Sequence, residues 1–105
     1  MSTLHDILSK EATNKNAIYL YERGNKWVAY EHSAYHFSLI FKMGEIECIG
    51  DQVCVALSNS LDFLYSQAMN TVEIIYVGDT EVKIDCGTAF AGFEQWKRKQ
   101  YLTIQ

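Results

Sequence analysis

From Glu81 to Cys86 the chain alternates strictly: Val82, Ile84 and Cys86 fall on one side, Glu81, Lys83 and Asp85 on the other. A period of two is the mark of a strand buried on one face. The Gly78-Asp79 pair just before it is a turn signal. Residues 71–77, TVEIIYV, are rich in β-branched and aromatic side chains. Residues 71–86 therefore predict a hairpin with one apolar side. That side has to be covered, so the rest of the chain must supply matching faces.

It does. Residues 17–21, AIYLY, and 26–30, KWVAY, predict a second hairpin around the turn ERGN, in which Gly24 or Asn25 takes a positive φ. Ile18 and Leu20 face one side of it, Tyr19 and Tyr21 the other. At Glu31 the period lengthens. Ala34, Phe37, Ile40 and Phe41 recur at helical spacing, and Gly44 is the stop signal. Residues 3–12 also predict a helix, with Thr3 and Asp6 at capping-box spacing. Residues 46–57 predict strand broken at Gly50-Asp51. Further helices are expected from Ser58 or Ser60, through Leu61, Leu64, Tyr65 and Ala68, and from Gly87-Thr88, where Phe90, Phe93 and Trp96 share a face. The expectation is one α+β domain spanning residues 1–105, a small mixed or antiparallel sheet packed by helices.

Composition narrows the function. With 49% hydrophobic and 21% charged residues, the chain is of globular type. A net charge of −4 weighs against nucleic acid as sole partner, because phosphate binding needs a basic footprint. The N-terminus carries no signal-peptide pattern, and no apolar run approaches the ~20 residues of a membrane span. The expected location is cytoplasmic, with no membrane partner. Cys48, Cys54 and Cys86 show no C-x-x-C spacing and read as reduced, mostly buried thiols.

No catalytic constellation emerges. His32 and His36 are four apart, but the zinc-protease pattern needs glutamate after the first histidine, and this chain has Ser33. No metal or cofactor is assigned, and the pair reads as surface or capping residues. Cys86 would stand near the helix start at Gly87-Thr88, where backbone dipoles activate thiols. No histidine has a sequence-defined relation to it. The run Lys97-Arg98-Lys99 reads as the charged C-terminal end of a helix. The expectation is a domain without enzymatic activity.

Residues 17–34, AIYLYERGNKWVAYEHSA, resemble the opening of the N-terminal mismatch-recognition domain of the MutS family. The shared features are Leu20, Gly24, Asn25, Trp27, Tyr30 and Ser33-Ala34, in a helix-strand-turn-strand-helix order. The resemblance implies a non-catalytic DNA-binding module of that fold; Arg23, Asn25 and Lys26 at the turn are the candidate nucleic-acid contacts, Arg23 with Lys26 reading as a phosphate-binding turn. At the family's two base-probing positions this chain carries Lys26 and Val28. Lysine meets phosphate but does not stack, a contact worth ~1–3 kcal/mol per base. Valine makes no side-chain hydrogen bond. The alternative is a protein-interaction or self-association domain, a homodimer included, with Trp27, Tyr30 and Tyr35 as its contact surface.

Overall fold

The computed structural model describes residues 3–58, 65 and 67–104. Its elements run α1 (Leu4–Glu11), β1 (Ala17–Arg23), β2 (Lys26–Tyr30), α2 (Glu31–Ile40), β3 (Glu45–Ile49), β4 (Gln52–Ser58), a 3-10 helix (Gln67–Thr71), β5 (Glu73–Val77), β6 (Glu81–Asp85) and α3 (Phe93–Ile104). The strands form a six-stranded sheet in the order β3-β4-β2-β1-β6-β5. Every neighbouring pair is antiparallel. This is the α+β architecture expected from the sequence, with the sheet antiparallel throughout.

The register explains the core. Ile18 lies opposite Ile84 and Leu20 opposite Val82. Trp27 lies opposite Leu57 and Ala29 opposite Val55. These eight side chains share one face and pack with Ala34 and Phe37 of α2 and with Phe41 at its C-cap. Helix α3 extends the cover toward β3: Phe93 joins Tyr35 and Val53, with Trp96 packed against them. The opposite face is partly closed as well. Tyr21 and Cys54 are buried there by strand alternation, and Lys10 of α1 stands 4.6 Å from the Tyr19 ring centroid and 5.6 Å from that of Tyr21.

Helix α1 starts as its capping box requires: Asp6 N–H donates to Thr3 Oγ1, and Thr3 N–H to Asp6 Oδ2. Helix α2 starts abruptly. Tyr30 ends β2 and makes no side-chain cap bond, and Glu31 takes φ +50° to turn the chain straight into the helix. A non-glycine residue in that region is strained, so the surrounding packing must hold it. Lys97 Nζ donates to Glu31 Oε1 at 2.8 Å and pins the corner to α3.

Several expectations are corrected. Helix α2 ends at Ile40, before Gly44, through Lys42 at φ +54° and Gly44 at φ +93°. Helix α3 starts at Phe93, not at Gly87-Thr88, because Tyr35 Oη and the Lys15 carbonyl hold residues 90–91 in an extended strap. Lys97, Arg98 and Lys99 thus sit mid-helix. Cys86 follows β6, seven residues before α3 begins, and burial pushes its thiol up to about 12, the reverse of activation. The helix expected from Ser58 or Ser60 through Ala68 falls largely outside the described residues; at its end the chain forms the 3-10 helix Gln67–Thr71.

Candidate partner-binding edge

The β1–β2 turn is the two-residue loop Gly24-Asn25, with Gly24 at φ +64°. Asn25 and Lys26 are exposed at its tip. Arg23 instead leans back: its Nε donates to Tyr30 Oη at 3.2 Å and its guanidinium lies 5.9 Å from that ring. Lys26 lines a shallow cleft shared with Glu45. The C-terminal basic run lies elsewhere. Lys97 pairs with Glu31, which follows the far end of β2, about 13 Å along the strand from Lys26. The turn and the run therefore do not join into one positive stripe.

Trp27, Tyr30 and Tyr35, read as a contact surface, take other roles. Trp27 is 5% exposed and Tyr35 8%, so neither offers a face to a partner. Trp27 pairs across to Leu57 on the core side. Tyr35 anchors α3: its ring is 5.1 Å from Trp96, and its hydroxyl donates to the Ala91 carbonyl at 2.6 Å. Tyr30 is part-buried beneath Arg23.

The two edges of the sheet differ sharply. On β3, Glu45 and Glu47 alternate along the strand, and Tyr101 of α3 donates to the Gly50 carbonyl at 2.6 Å beside it. Charges and a covering helix are the ordinary protections of an edge. On β5, all five residues are exposed, and four are large and apolar: Ile74 40%, Ile75 47%, Tyr76 40% and Val77 48%. Glu73 is its one formal charge. Among the described residues no strand lies beyond it, so its outward N–H and C=O groups have no ladder partner. A bulge between Ile74 and Tyr76 breaks the register against β6 and turns Ile75 toward the Tyr19 side of the sheet.

Between α1 and α2 lies a buried polar network. Strand β1 pairs with β2 only from Tyr21 onward, leaving the backbone of Ala17 and Tyr19 open on that side. Side chains close it. Ser33 Oγ accepts from Tyr19 N–H at 2.9 Å, Asn14 exchanges hydrogen bonds with both backbone groups of Ala17, and His36 Nδ1 sits 2.8 Å from the Ala17 carbonyl. Both Glu11 oxygens accept from Ser33. His36 is thus a buried structural residue, not a surface one. Its ring centroid is 6.3 Å from that of His32, which stacks on Phe93 at 3.9 Å. Among the described residues no group of three or more His, Cys, Asp or Glu side chains is arranged to hold a metal, and no helix is long and apolar enough to cross a membrane.

Compared with family models, curated proteins and solved structures, the chain matches none.

The sequence carries a signal for the β5 edge. EIIYV is a continuous apolar run with one terminal charge, beside a β6 that alternates cleanly. A hairpin arm with no polar side is either covered on both faces or awaiting a neighbour. The polar network had no such signal, since Glu11, Asn14, Ser33 and His36 are brought together by tertiary structure.

Proposed function

We propose that this chain is a non-catalytic protein-interaction domain that associates by adding a strand to β5, a second copy of the same chain being the occupant. The observation that carries this is the exposed, almost uncharged edge Glu73–Val77, set against a β3 edge that carries two glutamates and lies against α3. Strand addition satisfies main-chain donors and acceptors, and the side chains of alternate residues supply selectivity. Two β5 strands meeting antiparallel would continue the pattern of the whole sheet and give an isologous two-fold interface.

Sedimentation velocity over a concentration series tests this. The native chain is expected to show concentration-dependent association. Val77→Lys is expected to weaken it at least tenfold, about 1.4 kcal/mol, with little effect on monomer stability because the position is exposed. A native chain that stays monomeric, or a variant that associates equally well, contradicts the reading.

A second reading, nucleic-acid binding, is supported by the exposure of Asn25 and Lys26 at the β1–β2 turn and by the resemblance of residues 17–34 to the MutS mismatch-recognition domain. Its test is a salt titration against duplex, mismatched and single-stranded DNA with Lys26→Glu alongside. Binding that weakens with salt and disappears in the variant supports it. Absence of binding at low salt removes it.

A further inference from the structure

On the sheet face away from α2, a cleft of about 500 Å³ opens between the end of α1 and strands β1, β6 and β5. Tyr19 and Lys83 line it, with Lys10 and Lys15 above and Ile75 and Asp85 at its margins. Its volume is that of an ordinary small-ligand site.

The charges in it are not balanced by one another. Lys10 Nζ lies 4.6 Å and Lys83 Nζ 5.3 Å from the centroid of the same Tyr19 ring, so two ammonium groups converge on one aromatic side chain. Glu81 is already occupied by Lys10 at 3.1 Å. One oxygen of Asp85 accepts from Gly87 N–H at 2.9 Å. Among the described residues, Lys83 and Lys15 have no carboxylate within ion-pair distance. With Lys10 paired to Glu81, Asp85 is the one carboxylate among the described residues lining the cleft against Lys15 and Lys83, so the cleft keeps a positive excess. A bound anion would gain Coulombic attraction from the Lys83 and Lys15 ammonium groups, neither of which has a carboxylate on it among the described residues.

We infer that this cleft binds a small phosphorylated molecule, its phosphate held by Lys83, Lys15 and Lys10 and its organic part seated against Tyr19 and Ile75. Lysine ammonium groups are compact point charges that suit a phosphate approached from several directions. The apolar margin at Ile75 gives the rest of the ligand a surface that a bare inorganic ion would not use. This inference goes beyond the strand-addition reading and does not depend on it, since the cleft is complete within one chain.

Backbone-amide NMR titration of the native chain tests it. The probes are glycerol 3-phosphate, inorganic phosphate, a short 5′-phosphorylated oligonucleotide, and chloride at matched ionic strength. Saturable shifts are expected with glycerol 3-phosphate, confined to residues 10, 13–19, 75 and 83–89, with weaker binding of inorganic phosphate. Lys83→Gln and, independently, Lys15→Gln should each weaken binding at least fivefold. Lys15 lies outside the helices and strands, so its variant reads the site without disturbing the sheet; Lys99→Gln should change nothing. Shifts reproduced by chloride, shifts outside these residues, or lysine variants that bind normally would overturn the site. Titration by the oligonucleotide alone would overturn the small-molecule assignment.

Discussion

Glu11 and Ser33 are 22 residues apart in the chain and form one hydrogen-bonded unit: Ser33 N–H donates to Glu11 Oε1 at 2.8 Å and Ser33 Oγ–H donates to Glu11 Oε2. The same hydroxyl accepts from Tyr19 N–H and from Asn14 Nδ2. Through it α1, β1 and α2 share one buried junction, on the side of β1 where pairing with β2 has not yet begun. Ser33→Ala removes the hub and leaves Tyr19 N–H and Glu11 Oε2 without a partner, while Asn14 Nδ2 keeps Glu11 Oε1 and the Ala17 carbonyl. Each buried group left unpaired costs about 1–3 kcal/mol, so a total loss of about 2 kcal/mol or more is expected in urea or thermal unfolding. A loss under about 1 kcal/mol would mean that the network is not closing the β1 backbone.

The junction also gives stability a pH dependence. Burial pushes the Glu11 carboxyl up from 4.5 to about 7, and the hydrogen bonds from Ser33 and Asn14 offset only part of that. The folded state then holds a proton that the unfolded chain releases, so this contribution is full below about pH 4.5 and lost as pH rises toward 7. At ~1.36 kcal/mol per pKa unit the swing is about 3 kcal/mol. Burial lowers His32 and His36 below 6.5. Their contribution runs the other way: it is present above pH 6.5 and lost as pH falls. Comparing the native chain with Glu11→Gln across pH 4 to 8 isolates the carboxyl. The native chain should lose stability relative to the variant between pH 4.5 and 7 and level off above. A pH-independent difference would show that Glu11 is not buried as described.

Two glycines with positive φ separate strain from crowding. At Gly44, φ +93°, an added Cβ would stand 2.7 Å from Val55 Cγ1, 3.0 Å from Leu57 Cδ2 and 3.3 Å from the Ala56 carbonyl oxygen. Val55 is fully buried and cannot step aside. At Gly24, φ +64°, nothing lies within 4 Å. Gly24→Ala should therefore cost only the conformational term, about 1 kcal/mol. Gly44→Ala adds overpacking of about 1–3 kcal/mol. Equal losses in chemical denaturation would contradict the tight approach of the α2–β3 connection to β4.

Much of this fold was legible in local pattern. The alternation of Val82, Ile84 and Cys86, the turn at Gly24-Asn25, the Thr3–Asp6 cap and the helical stripe Ala34–Phe37–Phe41 each depend on near neighbours in the chain, and each stands where the pattern put it. What failed depends on distant residues. Trp27 and Tyr35 read as surface aromatics because their cover comes from Leu57 and Trp96. His36 read as exposed because the carbonyl it meets belongs to Ala17. The start of α3 was placed too early because a Tyr35 hydroxyl, not a helix cap, decides the path of residues 90–91. The β5 edge was visible as composition, but that nothing flanks it among the described residues is a fact of strand order, which periodicity does not carry.

The central claim is that β5, and not β3, is the edge that takes a partner. Residue-resolved amide hydrogen exchange, measured on dilute and concentrated samples of the native chain, tests it directly. The outward amides of residues 73–77, those not bonded to β6, are expected to exchange quickly when dilute and to gain protection with concentration, while those of residues 45–49 do not change. Protection that grows at 45–49 instead, or at neither edge, would contradict it.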